Sequence, residues 1–64
     1  MKETLINYLQ GMMDDFQERK DVYGIKHPIM IAKFDAMIAC KEMVEAVIGE
    51  PVNLQKDGKV TVGF

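Results

Sequence analysis

The chain has no serine, and only one cysteine, one histidine and one arginine among its 64 residues. Each shortage removes a class of chemistry. Cys40 alone cannot form an intrachain disulfide, and Cys40 with His27 alone cannot make a Cys/His zinc set. Without serine, His27 has no serine hydroxyl to activate. The single thiol lies inside a predicted helix, and helical rise separates it from His27 by about 18 Å, far beyond the hydrogen-bond reach of a catalytic pair. His27 therefore reads as a loop or cap residue and Cys40 as a small apolar filler.

Long apolar runs are also missing. No segment reaches the ~18 consecutive apolar residues of a membrane span. The opening MKETLINYLQ has no uninterrupted apolar stretch of signal-peptide length. Basic charge is sparse and scattered, and the formal net charge is -2, which disfavours a nucleic-acid partner. The lone thiol and missing export signal fit a cytoplasmic setting. With the small size and the start at Met1, they also fit a phage or mobile-element accessory protein.

A single domain of this length has a thin core. Near this size a chain buries only about 60% of the surface it exposes when unfolded. Such scaffolds are usually completed by disulfides, a metal or oligomerisation. The composition leaves oligomerisation.

Two helices and a hairpin are legible in the residues present. Leu5, Leu9, Met12, Met13, Phe16 and Tyr23 recur in threes and fours, so residues 3–23 are predicted to form an amphipathic helix. Gly11 sits in its middle at a cost of about 1 kcal/mol against alanine. Gly24 is expected to end the helix in the left-handed conformation, with Ile25 making the accompanying apolar contact. Pro28 suits the first position of a second helix, 28–48, which Gly49 and Pro51 terminate. A link this short folds the second helix back on the first.

Beyond Pro51 the apolar period changes from that of a helix to an alternation: Val52 and Leu54, then Val60, Val62 and Phe64. A two-residue Asp57-Gly58 loop would put the apolar residues of the two strands on opposite faces. A three-residue loop, Lys56-Asp57-Gly58, pairs Val52 with Val62 and Leu54 with Val60 on one face, with Gly58 in the bulge position. The second register is expected. The fold class is α+β: one domain, 1–64, with an antiparallel two-helix hairpin, a C-terminal β-hairpin about 52–63, and completion by homo-oligomerisation.

The second helix is apolar on two sides. One carries Met30, Phe34, Met37, Ile38, Val44 and Ile48. The other carries Ile29, Ala32, Ala36, Ala39, Met43 and Ala46 in alternating threes and fours. A helix apolar nearly all round must be covered on more than one side. Sustained small residues at that spacing allow a close helix crossing. The second side is the expected subunit interface of a homodimer or higher oligomer. The alternative is that the first helix covers it within the same chain.

Four other features are weighed. Asp15-x-x-Glu18 and Glu42-x-x-Glu45 have the spacing of paired metal-binding carboxylates. The pattern is similar to that of all-helical nucleotide pyrophosphohydrolases, with Asp15 where that pattern has glutamate and Glu45 where it has aspartate. Asp15 and Glu18 fall on the polar side of the first helix, so they are read as solvated, and neither a metal nor another cofactor is expected. Asp14, Glu18 and Asp21 form an acidic stripe that could meet a partner protein. The methionines Met12, Met13, Met30, Met37 and Met43 suit irregular core gaps or an adaptable surface. Lys56 and Lys59 at the hairpin tip, and Arg19, Lys20 and Lys26 near the link, read as charged turns. The functional expectation is a small non-enzymatic interaction protein: a regulator, inhibitor or assembly factor that binds another macromolecule. The alternatives are a small-ligand or nucleotide binder with sites between subunits, and a metal-dependent hydrolase using the helix carboxylates.

Overall fold

The computed structural model describes residues 1–63; the alternation expected to continue to Phe64 lies outside them. Helix α1 runs Lys2–Tyr23 and helix α2 Pro28–Ile48, followed by strands β1, Val52–Leu54, and β2, Val60–Val62. The strands form a two-stranded antiparallel sheet. The architecture is α+β. The long axis of the molecule, 33 Å, is the length of one 22-residue helix at about 1.5 Å rise per residue.

The link between the helices is set by three local groups. The Gly24 N–H donates to the Lys20 carbonyl at 3.0 Å. Gly24 departs from the expected left-handed helical conformation: its φ is 81° and its ψ 150°, an extended region open essentially to glycine alone. The chain therefore leaves α1 stretched out, and Ile25 stays 63% exposed. His27 caps α2. Its Nδ1 accepts the Ile29 N–H at 3.1 Å, satisfying one of the free donors of the first turn. Tyr23 packs against His27 with its ring tilted at 45° and the centroids 5.0 Å apart, and is more exposed than its place in the α1 stripe implies. At the other end of α2, Gly49 is left-handed, with φ 74° and ψ 20°.

The hairpin has the three-residue loop and the expected register. Val52 pairs with Val62 and Leu54 with Val60. Gly58 has φ 93°, and a Cβ there would stand 3.2 Å from Gln17 Cγ, so both backbone geometry and α1 demand glycine. The sheet lies across the helices, β1 against α2 and β2 against α1. Helix side chains bond the strands directly. The Val60 N–H donates to Gln10 Oε1 at 2.9 Å, while Gln10 Nε2 donates to the Gly58 carbonyl at 2.7 Å. On the other edge the Val52 N–H donates to the Glu45 carboxylate at 2.7 Å.

The core is Leu9, Met13 and Phe16 from α1, Met30, Met37 and Val44 from α2, and Val52 from β1. Leu5, Met12, Cys40, Ile48, Leu54, Val60 and Val62 pack around it partly buried. Burying a large apolar side chain stabilises by about 1.5–3 kcal/mol, and among the described residues only seven apolar side chains are buried. Among the described residues, no helix is long and apolar enough to cross a membrane.

Candidate functional site

One side of α2 meets α1 and the sheet through Met30, Met37 and Val44. The other side faces outward. Ile29, Ala32, Ala36, Ala39, Met43 and Ala46 are all exposed. Met43 is 63% exposed, and Val47, on the same side, 60%. The first helix does not cover this stripe. It flanks it with Tyr8, 65% exposed. Tyr8 lines a hollow of about 450 Å³ with Gly11, Asp15, Lys33 and Ala36, and a second of about 370 Å³ with Leu5, Met43 and Val47. The Gly11 Cα faces open space, with nothing within 4 Å of where a side chain would begin.

The polar groups divide into two clusters. Asp15 accepts from Arg19 Nε at 2.9 Å and pairs with Lys33 Nζ at 3.0 Å. It thus ties α1 to α2 at the boundary between the helices, instead of pointing away from α2 as a helical projection places it. The Arg19 hydrogen bond, then that of Lys33, holds its carboxyl below the usual aspartate range, and Arg19 is held protonated in return. In the second cluster Glu45 takes the Val52 N–H and the Lys41 ammonium, the latter at 3.2 Å. Those bonds, the backbone one foremost, lower its pKa. Both carboxylates are thus engaged in structural bonds. Glu18 and Glu42 are exposed, and among the described residues no three potential metal ligands lie together. Lys2 and Glu50 form a further ion pair, joining the start of α1 to the residue before Pro51.

The acidic stripe is where the sequence places it. Asp14, Glu18 and Asp21 are exposed on α1, and the Asp14 carboxylate accepts from Gln10 Nε2 at 2.9 Å. Cys40 is half-buried at the edge of the core, and His27 is bound up in the α2 cap.

A further surface is not apparent in the sequence. Phe34 counts there with the core side of α2, yet it is 45% exposed, its ring tilted against Phe16 at a centroid distance of 5.8 Å. It stands between three adjoining hollows of about 220, 400 and 460 Å³. Ile25 and Ile31 flank it, both exposed. The only signal for this in the sequence is the pair Ile25 and Ile31, which neither stripe of α2 absorbs.

No protein-family model, curated protein or solved structure matches this chain.

Proposed function

We propose that this chain is a small interaction protein that works as a homo-oligomer, with the outward face of α2 as its subunit contact. The observation that carries this reading is the exposure of Ile29, Ala32, Ala36, Ala39, Met43 and Ala46 in a protomer whose other elements are already committed. Tyr8 at 65% exposure and Val47 at 60% extend the same apolar surface on either side of the stripe. The stripe centres between Ala36 and Ala39. A two-fold axis through that point sets Ala36 of each copy against Ala39 of the other, an isologous contact in which short side chains admit close backbones.

The test is the native mass by light scattering after size exclusion, for wild type and Ala39→Glu. A multiple of 7.3 kDa that the substitution reduces supports the contact. A wild-type protein running at the protomer mass overturns it.

A second reading, a small ligand held between subunits, is supported by the hollow beside the stripe, where Tyr8, Asp15 and Lys33 stand over Gly11 and Ala36. Pairing through α2 would roof it. Native mass spectrometry of the purified protein checks this reading through added mass on the oligomer that is absent from the denatured chain.

A further inference from the structure

The side of the molecule around Phe34 is separate from the alanine stripe and differs from it in charge. Its deepest part is the cavity of about 220 Å³ floored by Phe16 and Met30 and walled by Ile25, Ile31 and Phe34. No charged group lines it. The hollow of about 400 Å³ next to it shares Phe16, Ile25 and Phe34 and opens toward the hairpin loop. Two charged residues line that hollow, Lys20 from α1 and Lys56 from the loop. Neither has a carboxylate within ion-pair distance among the described residues, where Lys2, Arg19, Lys33 and Lys41 each have one. On the far side of Phe34, the hollow of about 460 Å³ contains Lys41 and Glu45, which neutralise one another. In a chain of net charge -2, the hollow that adjoins this apolar cavity on the hairpin side is thus lined by two lysines and no carboxylate.

We propose that this groove docks an acidic, amphipathic segment of a partner protein. One bulky apolar side chain would fill the cavity against Phe34, and carboxylates on the same segment would lie over Lys20 and Lys56. The proposal rests on the reading of this chain as an interaction protein and assigns the chemistry of its partner. The apolar floor excludes water and gives the anchor its affinity, in the way that aromatic-lined pockets concentrate binding energy at interfaces. The lysines supply sign. They attract a negative segment and repel a basic one. Two lysines are too few for a nucleic-acid track, whose binding rests on many phosphate contacts. The groove is also open along its length, which suits a peptide better than an enclosed lipid chain.

The probe is an end-blocked, fluorescein-labelled peptide, Glu-Glu-Asp-Leu-Phe-Asp-Leu-Leu-Glu-Glu, titrated with the full chain and followed by anisotropy. Two controls accompany it, one with every acidic residue changed to lysine and one with Leu and Phe changed to alanine. The acidic apolar peptide is expected to bind at least about tenfold more tightly than either control, the scale of losing a buried anchor or its charge match. Phe34→Ala should weaken it by a similar factor. Because that variant removes packing on Phe16, the double variant Lys20→Glu, Lys56→Glu keeps the test independent of folding: it should reverse the preference, favouring the lysine peptide. Amide shifts in the wild type should centre on Ile25, Phe34 and Lys56. Equal binding of the lysine peptide, binding of the alanine peptide, or no binding of the acidic one overturns the proposal. So do shifts centred on Ala36 and Ala39, or capture by phosphatidylglycerol vesicles in place of the peptide. The native mass reports on the α2 contact and the peptide series on the groove, so failure of one is distinguishable from failure of the other.

Discussion

Gly11→Ala should make this protein more stable. The site is mid-helix, with nine residues of α1 before it and twelve after, and glycine there costs about 0.8–1.0 kcal/mol relative to alanine through the backbone freedom it gives up on folding. The new Cβ meets no atom within 4 Å, so no clash subtracts from the gain. The net expectation is about 1 kcal/mol. At roughly 0.05–0.15 kcal/mol per residue the whole fold is worth only about 3–10 kcal/mol, so the change is a sizeable fraction of it. For a domain this small it should raise the Tm by about 4–8 °C. Urea unfolding followed by far-UV circular dichroism, at two protein concentrations, measures it. The midpoint should rise with an unchanged slope, and by the same increment at both concentrations, since the effect lies within the protomer. A lowered midpoint, above all one accompanied by a smaller native mass, would falsify the reasoning. It would place another chain against the Gly11 backbone, in the space that the protomer leaves empty.

Other predictions follow from the core and the hairpin. Met37→Ala empties a site 1% exposed at the centre of the core and should cost about 2–5 kcal/mol, enough to leave much of the protein unfolded by circular dichroism. Gly58→Ala forces a side chain into a backbone of φ 93° and against Gln17. It should cost at least about 1–2 kcal/mol from the backbone alone, and thermal melting checks it. Glu45 has a folded-state pKa below its unfolded value near 4.5. Its charged form is therefore the one the fold prefers. That contribution is complete above pH ~4.5 and is lost as pH falls through the lower folded value. Wild type should lose stability in that acid range more steeply than Glu45→Gln, which keeps an acceptor for the Val52 N–H without a proton to gain; coincident acid titrations would show that Glu45 has no part in it.

Much of this architecture is local, and local features are legible in the residues. The ends of α2 follow from Pro28 and Gly49, and the hairpin register follows from the requirement that Val52, Leu54, Val60 and Val62 share one face around a Lys56-Asp57-Gly58 loop. Periodicity likewise identifies Leu9, Met13, Phe16, Met30, Met37 and Val44 as core, because a helix turns by a fixed angle per residue whatever it packs against. A periodic pattern ranks the sides of a helix without saying how wide a cover each receives. The three-residue strands are too narrow to span every apolar position on α2, so Phe34, at the margin of the core side, is left 45% exposed and the stripe around Ala36 and Ala39 stays exposed. Tertiary placement also sets the partners of the polar groups. Asp15 is turned to Lys33, and Glu45 to the Val52 N–H, by the approach of elements distant in the chain. Lys20 and Lys56 become neighbours on one apolar groove only because the hairpin folds back over α1, and charge that is scattered along the chain acquires a common direction through that contact alone.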